Sequence, residues 1–169
     1  MSATSVPLAA PLRAVMPRVL LSGAVVGVLD GLFAVSLCMV RNDACQATRV
    51  FQGIAGGLLG RESFNGGLAT AALGVALHFL IATSWSGVFF LAASRLEWLG
   101  RQLETAPRTV AAGMLYGVFV WLMMDLVIVP LSRARATPVM STVFVILLVG
   151  HMFVVGLPIA WLARAGVRH

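Results

Sequence analysis

Four side chains that can gain or lose a proton lie inside long apolar stretches of the sequence. They are Asp30, His78, Asp125 and His151, one in each stretch. Inside a membrane such groups cost about 2.5 to 3.5 kcal/mol on insertion scales, so they are normally paired, neutral or functional. At 1.5 Å of helix rise per residue, all four fall within roughly 8 Å of one another in depth. We therefore predict that they form one buried polar core.

Several kinds of chemistry suit a core of this composition. Hydrogen bonds between Asp and His would fix the register of the helices, and chains of the same residues also carry protons or ions. His78 and His151 are candidate metal ligands, which could hold haem b from opposing helices or, with the aspartates, a transition-metal ion. No cofactor is required by the pattern, and none is predicted.

Enzymatic chemistry has little support in the sequence. Ser84 and Ser86 do not lie in a nucleophile motif, no helix carries a pair of carboxylates, and the loops contain no cluster of His or Cys. We therefore expect a protein that is not an enzyme.

The composition indicates that the core lies in a membrane. Hydrophobic residues make up 60% of the 169 residues and charged residues 11%, with a mean hydropathy of +0.97. Soluble domains carry about 25% charged residues. The length accommodates four spans of roughly 20 to 25 residues with short loops. The expected fold is all-α, an integral membrane protein with an antiparallel four-helix transmembrane bundle.

The apolar stretches give the expected boundaries. A single transmembrane domain, residues 19–163, is flanked by cytoplasmic tails at 1–18 and 164–169. Its spans are expected at about 19–40, 68–94, 110–131 and 139–163.

Local signals predict the ends of these spans and one further helix. Apolar residues at helical spacing predict a short interfacial amphipathic segment at about 47–60, with Gln52 outside its apolar face. Prolines up to Pro17 should keep residues 1–18 from forming a helix, and Pro107 should end a helical extension of the second span. Thr137 and Pro138 should open the fourth span.

Glycines recur at helical spacing in the first three spans. Such residues let helix backbones approach closely, so we predict that they pack helices within the chain, in a homo-oligomer or against a larger membrane complex. The predicted packing glycines are Gly23, Gly27, Gly31, Gly74, Gly113 and Gly117.

The basic residues are twelve arginines, and they lie at the ends of the apolar stretches. That position suits lipid headgroups, so the bilayer is the expected partner and nucleic acid is not. With both termini in the cytoplasm, seven arginines lie on that side and five on the other, as the positive-inside rule favours. Cys38 and Cys45 would lie on the other side, either as two thiols or as one disulfide.

Three segments carry a family resemblance: residues 58–82, Tyr116-Gly117 in the third span, and Gly156-Leu-Pro-Ile-Ala160 in the fourth. Together they resemble a group of small bacterial inner-membrane proteins without an agreed activity. The resemblance implies a four-helix protein of the bacterial inner membrane, and it transfers no functional residue. The sequence thus predicts a structural or assembly component of the membrane. The alternatives are a small transporter or proton/ion-conducting protein and, second, a haem b redox anchor.

Overall fold

Four long apolar helices build the molecule. The computed structural model describes residues 12–42, 44–135 and 137–167, and these residues form helices and loops without a β-strand. The helices long and apolar enough to cross a membrane are Val15–Arg41, Gly67–Arg95, Ala106–Leu131 and Thr142–Ala165. The predicted all-α, four-helix transmembrane fold is confirmed.

The elements follow one another with short connections. The α-helices are α1 Leu12–Arg41, α2 Ala47–Leu59, α3 Gly67–Arg95, α4 Glu97–Gln102, α5 Ala106–Met123, α6 Val129–Leu131, α7 Thr142–His151 and α8 Leu157–Val167. A 3-10 helix, Gly60–Asn65, joins α2 to α3. The π-helical turns Met124–Ile128 and Met152–Gly156 join α5 to α6 and α7 to α8, so they lie inside the third and fourth spans.

Close glycine contacts pair the first span with the second. A Cβ on Gly23 would overlap Thr83 of α3, and one on Gly27 would fall 2.6 Å from the ring of Phe79. Gly31 continues this face, where a Cβ would lie 3.4 Å from Nε2 of His78. Side chains larger than hydrogen at Gly23 and Gly27 would therefore force α1 away from α3.

The third and fourth spans meet in the same way. A Cβ on Gly113 would fall 2.9 Å from the carbonyl oxygen of Gly156, and one on Gly117 would fall 2.6 Å from Cα of Met152. On α3, Gly74 lies against the backbone of Phe51 in α2. All six predicted packing glycines thus lie at contacts between helices of this chain.

Helix α2 forms where the amphipathic segment is expected, and its buried residues extend beyond the apolar positions of the pattern. Gln52 is buried, and its Nε2 donates a hydrogen bond of 2.9 Å to the carbonyl of Gly67. Leu58, from the expected apolar face, is exposed instead. The buried face consists of Gln52, Ala55 and Gly56 because the backbone of α2 approaches α3 closely at Gly74, which leaves room only for small side chains or a hydrogen-bonded one.

The prolines act differently from the sequence expectation. Pro17 lies inside α1, which begins at Leu12, so part of the segment expected to be a tail is helical. Pro107 lies in the first turn of α5, a position where its missing N–H costs nothing. The second span ends at Arg95 because the next residue, Leu96, has an extended backbone.

The fourth span starts later than expected. Ser141 caps α7, since its hydroxyl oxygen accepts a hydrogen bond of 3.1 Å from the N–H of Phe144. Thr137 and Pro138 therefore belong to the loop before the helix. Of the expected tails, residues 1–11, 168 and 169 lie outside the described residues.

Candidate functional site

A cavity of about 580 Å³ lies among the spans, and all four predicted polar residues line it. Asp30 reaches it from α1, His78 from α3, Asp125 from the third span and His151 from the fourth. Helix α2 and the loop after α6 complete its wall, with Arg135 among the residues there. The volume falls within the range of small-molecule sites, about 300 to 1,000 Å³.

Asp30 and His151 form the closest ionisable pair of the cavity. Nδ1 of His151 lies 2.8 Å from the carbonyl oxygen of Leu147, and because a carbonyl only accepts, Nδ1 carries a proton. The other ring nitrogen, Nε2, lies 3.8 Å from Oδ1 of Asp30. Nε2 is therefore the ring nitrogen that faces the carboxylate, and a proton on either atom would make this contact attractive.

His78 connects the first two spans. Its Nε2 lies 2.9 Å from the carbonyl oxygen of Gly27 and must donate to it. The rings of Phe51 and Phe79 face it edge-on, at centroid distances of 6.0 and 5.8 Å. These contacts hold the imidazole at the cavity wall and engage its Nε2 atom.

Asp125 is the most buried carboxylate of the cavity, with 4% of its surface exposed. Its Oδ1 accepts a hydrogen bond of 3.3 Å from the N–H of Thr137. Its Oδ2 is buried and has no hydrogen-bond partner among the residues that the structure describes. A buried acceptor without a donor is costly, so Oδ2 is an unused hydrogen-bond acceptor.

Trp121 lies one helical turn before Asp125 and also lines the cavity. Its ring packs on the imidazole of His151 at a centroid distance of 4.7 Å and on Phe144 at 5.7 Å. Its indole Nε1 is buried without a partner in the described part of the chain. Trp121 and Asp125 thus present one unused donor and one unused acceptor on the same helix face.

Both spans that carry these residues change from α to π geometry at the cavity. The N–H of Val129 bonds the carbonyl of Met124, and that of Leu157 bonds Met152, in each case five residues back. Pro130 and Pro158 follow directly. Because proline has no backbone N–H, an α-helical hydrogen bond is missing at each of these positions. Single π turns of this kind are frequent at functional sites. Sequence reasoning missed both turns, although the shared Met-x5-Pro spacing could have indicated them.

An aromatic cluster lies next to the inner end of the cavity, the end toward α4. Trp85 lines the cavity there, and its carbonyl accepts a hydrogen bond of 2.7 Å from the hydroxyl of Tyr116, which joins α5 to α3. Phe89 and Phe119 pack on Tyr116, with centroid distances of 4.7 and 5.9 Å. The hydrophobic core of the bundle includes Phe89 and the fully buried Leu103. At the other end, Arg135 lines the cavity and is exposed, so this end is the rim.

The two cysteines also lie at the rim end of the bundle. Cys38 and Cys45 form a disulfide, with their Cα atoms 5.9 Å apart. A turn brings them together, in which the N–H of Cys45 donates to the carbonyl of Asn42 at 2.8 Å. Of the two states that the sequence left open, the structure has the disulfide.

His78 and His151, the candidate metal ligands, belong to different surroundings in the cavity wall. Among the described residues no group of three or more His, Cys, Asp or Glu side chains could hold a metal ion. His78 and His151 each bond a backbone carbonyl, of Gly27 and Leu147, respectively. The ring nitrogens outside these hydrogen bonds are Nδ1 of His78 and Nε2 of His151, and the latter faces Asp30.

The fold and the cavity together define the class, a multi-pass membrane protein with a largely apolar cavity that ionisable side chains of all four spans line. Comparisons with known protein families, curated proteins and solved structures found no match. The function is therefore argued from the side chains around the cavity.

Proposed function

We propose that the protein is a proton-linked membrane transporter in which Asp30 and His151 carry the proton. The observation that supports it most is that ionisable side chains from all four spans line one cavity. In lipid such residues mark proton relays and substrate pathways. No enzymatic reaction is part of the proposal.

The shape of the cavity favours a carrier over a continuous pore. Its rim lies at the end of the bundle that holds Arg135, and its inner end lies at Trp85, whose carbonyl is hydrogen-bonded to Tyr116. A site near the middle of the bundle that is accessible from one side is what alternating access requires of a carrier in one of its two states.

The proton step follows from the geometry of the pair. At 3.8 Å, Nε2 of His151 and Oδ1 of Asp30 are too far apart for a hydrogen bond. A closure of about 1 Å would make one and let the proton pass from one atom to the other. Nδ1 keeps its own proton throughout, because the Leu147 carbonyl holds it. The pair can thus accept a proton from the rim and release it when the helices rearrange.

The glycine contacts give less support to the structural or assembly role that the sequence favoured. That role relied on glycine faces that would pack against a second copy or a larger complex. In the structure, Gly113 and Gly117 pack against the fourth span, and Gly23 and Gly27 pack against α3. The surfaces of these four glycines are therefore covered by other helices of the same chain.

Proton flux into liposomes tests the proposal. Purified protein is reconstituted with a pH-sensitive dye inside, and a potassium diffusion potential drives protons inward. We expect acidification above that of empty liposomes, and a fall to the empty rate in Asp30→Asn and His151→Gln. The matched control is Glu97→Gln, which neutralises an exposed carboxylate on α4 and should leave the rate unchanged. Equal rates for the native protein and for empty liposomes would refute the proposal.

We also propose that the protein lies in a bacterial inner membrane with both termini in the cytoplasm. The support is the excess of arginines at the termini end and the disulfide at the opposite end, which suits an oxidising compartment. A green fluorescent protein fused after His169 should fluoresce, and alkaline phosphatase fused there should be inactive. Active phosphatase at this position would reverse the orientation.

A further inference from the structure

We propose that Asp125 binds the ammonium group of a small apolar amine in the cavity and releases its own proton when it does so. This inference rests on the proposed function, since it names the class of solute that the transporter would take. It depends on Asp125 and Trp121, whereas the proton flux above depends on Asp30 and His151.

The charges around the cavity leave Asp125 as the carboxylate without compensation. Asp30 has the imidazole of His151 opposite, 3.8 Å away. His78 donates to a backbone carbonyl and needs no counterion. Arg135 lines the rim but is exposed, where its charge is screened by solvent. A cation at Asp125 would thus be attracted by a carboxylate that no other described group neutralises.

The unused hydrogen-bonding atoms specify the ligand further. Oδ2 of Asp125 accepts, and an ammonium group can donate to it once a rotation of the carboxyl turns this buried atom toward the cavity. The remaining surface is largely apolar and includes Trp85, Ile81 and Val155, so the body of the ligand should be apolar too. Trp121, one helical turn before Asp125, also lines the cavity and adds an aromatic side chain to this surface. A bare metal ion has too few ligands here, given that no described cluster of three acidic, His or Cys side chains exists.

Binding is an exchange of cations. In the proposed exchange, the carboxyl of Asp125 is protonated before binding. The ammonium ion R–NH₃⁺ then forms an ion pair with the carboxylate, and the O–H bond of the carboxyl breaks, which releases one proton to water. Charge and atoms balance, because one cation replaces the other.

Titration calorimetry with benzylammonium chloride tests the inference. The protein is measured in detergent, in two buffers with different enthalpies of protonation, so that the heat reports both binding and proton release. We expect binding with release of about one proton per ligand, since one carboxyl is involved. Benzyl alcohol, which has the same shape without the charge, should release none. Benzylammonium that binds without proton release, or does not bind, would overturn the inference.

Two variants assign the site. Asp125→Asn keeps an oxygen for the N–H of Thr137, so the fold should persist, and it should weaken benzylammonium binding about thirtyfold or more because the charge is lost. Glu97→Gln should bind like the native protein. Equal affinity in Asp125→Asn and the native protein would show that the ammonium lies elsewhere. If the Asn variant does not fold, proton release by the native protein still decides the question.

The ammonium group could belong to a free amine or to a lipid headgroup. Phosphatidylethanolamine added to the detergent solution should compete with benzylammonium if the headgroup enters the cavity, and phosphatidylcholine, whose quaternary ammonium has no N–H to donate, should not. Competition by phosphatidylethanolamine would identify a lipid headgroup as the source of the ammonium group, and no competition would identify a free amine. Both results are compatible with an ammonium site. Benzylammonium binding without proton flux would support this inference and refute the proposed transport. Proton flux without benzylammonium binding would support the transport and refute this inference.

Discussion

Gly156 lies so close to Gly117 that a Cβ on Gly156 would fall 2.7 Å from Cα of Gly117. At this point the backbones of the third and fourth spans touch directly. The contact comes one helical turn after His151, so it sets how the fourth span presents that imidazole to Asp30.

Gly117→Ala should separate these two spans. The new Cβ would meet the backbone at His151 and Met152, and we expect a loss of about 1 to 3 kcal/mol in the free energy of unfolding. Thermal unfolding of the purified protein measures it. The matched control is Gly87→Ala, where the nearest atom, Cγ1 of Val19, is 3.6 Å from the new Cβ and stability should not fall. Equal losses in both variants would contradict the packing described.

Tyr116→Phe should weaken the aromatic cluster at the inner end of the cavity. It removes the hydrogen bond to the carbonyl of Trp85 and leaves the ring in place. We expect a loss of about 1 kcal/mol in stability and a faster proton leak in liposomes, since the variant loosens the cluster between α3 and α5. Phe119→Leu, which alters the same cluster without touching a hydrogen bond, serves as a comparison. A slower leak in Tyr116→Phe would indicate that the hydroxyl conducts protons itself.

His78→Ala should lower stability without changing the visible absorption spectrum. The variant loses the hydrogen bond to the Gly27 carbonyl, worth about 1 kcal/mol, together with the ring contacts to Phe51 and Phe79. Spectra of both purified proteins provide the measurement. A Soret band in the native protein that disappears in the variant would establish haem ligation in place of the hydrogen bond.

Cys38 and Cys45 should resist alkylation until the protein is reduced. A maleimide that adds mass detects this on a denaturing gel, with two additions after reduction and none before. Because the bridge closes a short loop, with a sequence separation of 7, Cys45→Ser should cost about 2 to 3 kcal/mol. Alkylation of the native protein without reduction would show that the thiols are free.

The sequence predicts the spans well because their signal is local. Length and hydropathy suffice to identify four helices, and spacings of four residues place Gly113, Gly117 and Asp125 on one face of the third span. The ends of helices were harder to predict. A proline such as Pro107 is compatible with either the end or the start of a helix, and tertiary contacts decide between the two.

The cavity could be predicted only in part. Depth alone put Asp30, His78, Asp125 and His151 in one layer, but it did not say which of them would meet. The pairing of Asp30 with His151 depends on how the first and fourth spans cross. The burial of Gln52 depends on a backbone contact with α3, and no apolar pattern within α2 reports that.

The two π turns have a consequence for movement. Each adds one residue to a helical turn, and one residue corresponds to a rotation of about 100°. Converting the turn Met124–Ile128 to α geometry would therefore rotate one part of the third span relative to the other. The glycine contact at Gly113 and Gly117 could stay fixed while the segment beyond Ile128 turned. The π turn at Asp125 is thus a point where the third span can rotate. The π turn Met152–Gly156, directly after His151, is the equivalent point in the fourth span.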